Sequence, residues 1–264
     1  MILLDCSFEA GNLLFGINMK LAILSDIHGN CSALESVLSD IKAVKPDAIA
    51  LLGDLIDYGM RSNEAIEMVK SIDIPLVCNI WGNHEQAIID EDYQRFTSER
   101  GVISAKNTKK HLNEESISYL TSAMDRSGRA EFEFDGKKFL AVHGSLTDPY
   151  WKAIFPDKGN GSDGAFEGYE GFDYVLSGHS HYAHAFDYFY KVDNPEYRNK
   201  KKVVFINPGS VGQPRNHNPQ AQYALLDTCK GISLVSVSYD IEFEQSLFND
   251  EVDTFYRDRL TNGV

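Results

Sequence analysis

Long apolar runs are missing from this sequence. Nothing in it approaches the roughly 20 consecutive residues that a helix needs to cross a bilayer, so no membrane association is expected. Paired thiols are missing too. Cys6, Cys31, Cys78 and Cys229 are scattered with no CxxC spacing, which speaks against a thiolate zinc site or a disulfide framework and fits a reducing cytoplasm. Positive charge is in deficit: the formal net charge is −14, which repels polyanions and disfavours extended nucleic-acid binding through a basic groove. A compact anionic substrate held by metal ions fits this charge, because bound ions change the local field without entering the count. The first residues, "MILLDCSFEAGNLLFGIN", lack a basic start and are interrupted by Asp5 and Glu9, so they do not read as a signal peptide. Residues 1–18 read as an N-terminal extension. Met19 stands directly before the first strand, and starts at Met1 and at Met19 both remain open. No linker divides the rest of the chain, and 19–264 reads as a single domain of unknown oligomeric state.

After Met19 short β-like runs alternate with helical stretches, the pattern of an α/β fold. "LAILS" is a strand and "CSALESVLSDIKAV" an amphipathic helix, with Ser32 and Glu35 spaced as a capping box. "AIALLG", "NEAIEMVKSI" and "PLVCNI" continue the alternation as βαβαβ, which implies parallel strands. Residues 85–124 are mostly helical, with Asn113 as a cap. Then "AEFEF", an Asp135-Gly136 turn and "KKFLAV" make a hairpin, and five further strands follow, the last of them "ISLVSVSY". Two packed sheets with helices outside is the simplest arrangement. The Gly-rich stretch "DKGNGSDGAFEGYEGF" reads as a surface loop, and a terminal helix is expected from Ile241.

The ends of the apolar strands are unusual. "LSDIH" supplies Asp26 and His28, "LLGD" Asp54, "NIWGNHE" Asn83 and His84, "LAVHG" His143, and "VLSGHSH" His179 and His181. Carboxyl ends of parallel strands share one edge, where ligands bind, so these groups can converge. Imidazole nitrogens with carboxylate and amide oxygens, and no thiolate, suit Mn, Fe, Co, Ni or Zn better than Ca or Mg, and manganese is favoured. Seven donors exceed what one tetrahedral ion accepts, whereas two divalent ions sharing a carboxylate account for the number. Two such ions leave the site with roughly +2 of charge after the aspartates are counted, enough to attract a phosphate ester and a hydroxide together. His84 directly follows a ligand candidate and can protonate a leaving oxygen if it is not itself bound to metal. His111, His184 and His217 read as surface or packing histidines.

At these residues the sequence resembles the calcineurin-like metallophosphoesterases. Their motifs read here, in order, Asp26-Ile27-His28, Gly53-Asp54, Gly82-Asn83-His84-Glu85, His143-Gly144 and Gly178-His179-Ser180-His181. The resemblance implies an αββα sandwich of two mixed β-sheets flanked by helices. It puts Asp26, His28 and His181 on one ion and Asn83, His143 and His179 on the other, with Asp54 bridging. A bridging hydroxide would be the nucleophile, and His84 would assist the leaving group. "GDLIDYG", "HGSLTDP" and "NPGSVGQPRN" look like the bacterial and archaeal branch labelled diadenosine-tetraphosphatase-like, although "YGMRSNE", with Arg61, lacks the prolines usual there. Asn30 and Arg215 are the candidate substrate contacts. The "NPGSVGQPR" loop has two readings: backbone N–H groups and Arg215 turned toward an anion, or a structural turn with a solvated Arg. The activity expected is metal-dependent hydrolysis of a small phosphorylated molecule, a phosphodiester, phosphomonoester or nucleotide. The alternatives are a protein Ser/Thr phosphatase or a non-catalytic scaffold on the same fold.

Overall fold

The computed structural model describes residues 18–156 and 165–264. The proposed N-terminal extension, apart from Asn18, and half of the Gly-rich stretch lie outside the described residues. The chain runs β1 (Lys20–Leu24), α1 (Cys31–Val44), β2 (Ala48–Leu51), α2 (Ser62–Lys70) and β3 (Leu76–Asn79). Three helices come next, α3 (Asn83–Ile89), α4 (Glu99–His111) and α5 (Glu114–Ser122), then β4 (Arg129–Phe134), β5 (Lys137–Val142), β6 (Tyr174–Ser177) and β7 (His184–Lys191). The last part is β8 (Lys200–Asn207), β9 (Ala221–Asp227), β10 (Gly231–Val237), α6 (Ile241–Ser246) and α7 (Thr254–Asn262).

Two mixed sheets result, in strand orders β10-β9-β1-β2-β3 and β4-β5-β6-β8-β7. The βαβαβ unit gives the parallel pairs β1–β2 and β2–β3, and β9 closes antiparallel on the other side of β1. Asp135 and Gly136, both at positive φ, turn β4 back on β5. Leu21, Ile23, Ala50 and Leu52 face Phe139, Ala141, Leu176 and Ile206 across a dry interior between the sheets. On the outer face of the first sheet, Ala22, Leu24, Ile49 and Leu51 pack against Leu34, Val37 and Ile41 of α1.

Several local expectations change. The cap of α1 is Asn30, whose side chain accepts the Ala33 N–H at 3.0 Å, and not Ser32. Phe166 and Tyr169, within the Gly-rich stretch, are buried against Val175, Val203 and Phe205 and cover the outer face of the second sheet. The terminal helix is two helices, because Asn249-Asp250-Glu251 has no apolar face to bury and breaks the run. No helix among the described residues is long and apolar enough to cross a membrane.

Candidate metal centre

The loops after β1 and β2 lie side by side and extend the parallel ladder: Asp26 N–H donates to Gly53 O at 3.1 Å, and His28 N–H to Asp54 O at 3.0 Å. Both loops then reverse so sharply that Asp26, His28 and Asp54 adopt left-handed backbone (φ 55°, 50° and 53°), as do His179 and His181 (φ 62° and 59°) after β6. Each such residue costs about 1–3 kcal/mol against ordinary backbone, a penalty the surrounding fold must impose. Gly53 and Gly82 permit the crossing of two loops. A Cβ on Gly53 would stand 2.3 Å from Gly82 N, and one on Gly82 only 2.1 Å from Asp54 Oδ1.

The strand ends bring the candidate donors together in two groups. Asp26, His28, Asp54 and His181 have ligand atoms within 4.8 Å of one another, as do Asp54, His143 and His179, with Asp54 common to both. Asn83 Oδ1 joins the second group, 3.0 Å from His143 Nε2 and 2.8 Å from His179 Nδ1. The polarity of these contacts shows what they suit. His28, His143 and His181 each face a backbone carbonyl with Nδ1, those of Ile56, Leu52 and Gln213. A carbonyl only accepts, so each ring carries its proton on Nδ1 and turns Nε2 inward. Burial pushes His181 down to about 4 and holds His28 well below the usual imidazole value, so both rings are neutral. Their two lone pairs then meet at 3.3 Å, an arrangement that repels unless a cation lies between them. Asp26 Oδ1 and Asp54 Oδ2 are buried and face the inward Nε2 atoms of His181 and His143, at 3.1 and 3.2 Å. A cage of unsatisfied nitrogen and oxygen donors fits divalent metal ions.

Burial pulls His143 down, but Asp54, 3.2 Å from Nε2, overcomes this and lifts the ring to about 9. Burial and the neighbouring His143 push His179 down to about 3.

Three residues that sequence reasoning did not single out complete the centre. Asp57 Oδ2 lies 2.6 Å from His84 Nδ1, while its Oδ1 accepts the hydroxyls of Ser104 and Thr108 at 2.6 and 2.9 Å. Burial lowers His84, yet Asp54 and Asp57 outweigh it and the net shift is upward. Glu85 takes four backbone N–H groups, those of Gly82, Asp54, Leu55 and Ile56, on one carboxylate. Tyr58 stacks on Tyr256 at 4.2 Å and meets His84 edge-on at 4.5 Å. The only sequence signal for these was their place inside the same motifs.

Above the donors opens a cleft of about 570 Å³, lined by Asp54, Asn83, His84, His179 and His181, by the aromatic rings of Tyr58, Phe96, Trp151, Phe255 and Tyr256, and by four arginines. Arg215 is one of them. Asn30 is not among the lining residues: its amide donates to Gly212 O at 3.0 Å while its oxygen caps α1. The "NPGSVGQPR" loop divides its tasks. Val211 and Gly212 spend their N–H groups on the carbonyls of Ser25 and Asp26, and only Arg215 reaches the cleft. Arg61 turns away from the cleft to Glu244.

A family model for the calcineurin-like phosphoesterase superfamily domain matches residues 19–231. The chain belongs to this superfamily. It is 31% identical over 238 residues to the protein MJ0912 of Methanocaldococcus jannaschii, an alignment covering 86% of this chain and 90% of that one. A metallophosphoesterase from Sphaerobacter thermophilus superposes with a TM-score of 0.70 at 28% identity, over 94% of this chain and 100% of that chain. The protein PH1004 of Pyrococcus horikoshii shares the fold with a TM-score of 0.74 at 19% identity, over 93% of this chain and 99% of that chain. As a calcineurin-like phosphoesterase, the chain is a metal-dependent phosphoester hydrolase with divalent ions as its cofactors.

Proposed function

We propose that the protein is a dinuclear-metal phosphoesterase that hydrolyses a small phosphorylated molecule, with Asp54 shared between the two ions. The observation that carries this is the pair of donor groups meeting at Asp54, in which the Nε2 atoms of His28 and His181 point at one another. Asp26, His28, Asp54 and His181 would hold one ion, and Asp54, Asn83, His143 and His179 the other; manganese suits this donor set. When bound, a pair of divalent ions supplies Lewis acidity and an activated water. The remaining steps fall to the chain. Carbonyls of Ile56, Leu52 and Gln213 fix the tautomers of three rings, so that Nε2 is the donor atom. Glu85 holds the backbone of Asp54 in place, and the cleft arginines neutralise the incoming phosphate. His84, held through Nδ1 by Asp57, would deliver its Nε2 proton to the leaving oxygen.

The test is hydrolysis of bis-p-nitrophenyl phosphate by manganese-loaded protein, with Asp54→Asn prepared in parallel. Turnover that disappears in Asp54→Asn, together with lost metal, is the expected result. His84→Ala should lower kcat by about 100-fold while metal analysis still finds both ions. A His84→Ala protein emptied of metal would remove His84 from this role, and equal turnover in Asp54→Asn would refute the shared-carboxylate centre.

A further inference from the structure

Hydroxyls inside a helix ordinarily turn back on the helix itself. Ser36 in α1 and Thr121 and Ser122 in α5 do so, each donating to the carbonyl four residues earlier. Helix α4 departs from this. Ser104 and Thr108, four residues apart and therefore on one face, are both buried, and both donate away from their own helix to a single atom, Oδ1 of Asp57, at 2.6 and 2.9 Å. Neither residue favours a helix as Ala does, so α4 gives up local stability to carry them.

The carboxylate they hold is fully buried. Among the described residues no Lys or Arg pairs with it, and its ion-pair partner is His84, whose Nδ1 lies 2.6 Å from Oδ2. The backbone of Asp57 is left-handed (φ 74°), and its N–H donates to Ser62 Oγ at 3.1 Å. This fixes the main chain but not the carboxylate, whose two oxygens exchange by rotation unless something tells them apart. Two hydroxyls on Oδ1 do so and leave Oδ2 for the imidazole. The ring itself stands between Tyr58, edge-on at 4.5 Å, and Phe96 at 5.2 Å, and it lines the cleft. Helix α4 lies against α3, of which His84 is the second residue, so one helix carries the proton donor and its neighbour carries the clamp.

We infer that Ser104 and Thr108 are positioning residues for the hydrolysis: they clamp Asp57 Oδ1, so that Oδ2 holds His84 by Nδ1 and Nε2 is presented to the cleft. This rests on the phosphoesterase reading of the metal centre, with His84 as its proton donor. Neither hydroxyl is among the residues lining the cleft, so both act through Asp57 and His84 and not on the substrate.

The experiment measures kcat and KM for bis-p-nitrophenyl phosphate on manganese-loaded Thr108→Val, Thr108→Ser and Ser104→Ala, each made in the native chain and again with His84→Ala. Thr108→Val keeps the shape of the side chain and removes the donor. In the native chain kcat should fall about tenfold in Thr108→Val and in Ser104→Ala, the effect of one charge-assisted hydrogen bond. KM and metal content should stay as they are, and Thr108→Ser should keep the native kcat. On top of His84→Ala the same substitutions should lower kcat no further, because the group they position is gone. Native kcat in both Thr108→Val and Ser104→Ala, or an undiminished tenfold loss on top of His84→Ala, overturns the inference, the second result marking a purely structural role. If the native protein shows no turnover, the phosphoesterase reading fails separately, and the clamp is read by proton NMR from the His84 Nδ1–H resonance, assigned by its loss in His84→Ala. Thr108→Val should shift or broaden that resonance and Thr108→Ser should leave it in place; a resonance indifferent to both overturns the clamp.

Discussion

Glu85 shows how much one buried side chain can organise. Its carboxylate oxygens each take two backbone N–H groups, from Gly82 and Asp54 on one and from Leu55 and Ile56 on the other. Glu85→Gln would turn an amide NH₂ toward two of those donors. A loss of about 3 kcal/mol in urea unfolding is expected, with weaker metal retention because Asp54 is no longer held. Asp57→Asn should act differently. It keeps an acceptor for His84 Nδ1–H but removes the charge that helps hold the imidazolium, so kcat should fall while metal content stays. The alkaline limb of the rate profile should move to lower pH, since a His84 whose raised pKa drops loses its proton earlier. The candidate donors are legible in the sequence, because each comes directly after an apolar strand. Asp57 is not, since a carboxylate three residues after Asp54 looks like turn chemistry until the fold lays His84 against it.

At the scale of elements, local signals and tertiary contacts part company. The hairpin of β4 and β5 and the Asn113 cap of α5 arise from residues that touch each other along the chain, and the structure has both. Asn30 displaces Ser32 as the cap of α1 because Glu244, far away in sequence, takes the Ser32 N–H. Phe166 and Tyr169 sit in a Gly-rich stretch with no periodicity, and only the uncovered face of the second sheet explains their burial. Arg61 likewise has no local reading. It joins the start of α2 to α6 through Glu244, whose side chain is 1% exposed, and also donates to Ser32 Oγ. Arg61→Ala leaves that carboxylate buried without its partner and should cost about 2–3 kcal/mol in thermal or urea unfolding. The double variant Arg61→Met with Glu244→Met should recover most of the loss, because no unpaired charge remains.

Across the whole molecule, metal binding, protons and stability are linked. In the metal-free protein His143 titrates at about 9, above its unfolded value of about 6.5. Its ionised form therefore stabilises the metal-free fold fully below about pH 6.5, and that contribution is lost as pH rises through about 9. An ion held by His143 Nε2 would have to displace the same proton. Uptake of manganese at pH 7 should release about one proton, read by calorimetry in buffers of different ionisation heat, and apparent affinity should climb with pH up to about 9. The fall in melting temperature on adding a chelator should accordingly be larger at pH 9 than at pH 7. The cleft arginines have a consequence of another kind. A body of net charge −14 with a cationic mouth is a filter. Long polyanions meet the net negative charge of the whole body, while an anion small enough to fit within the mouth feels chiefly the guanidiniums. Capture of such an anion should weaken steeply as salt shortens the reach of that field, so discrimination against nucleic acids begins in the solvent, before any contact is made.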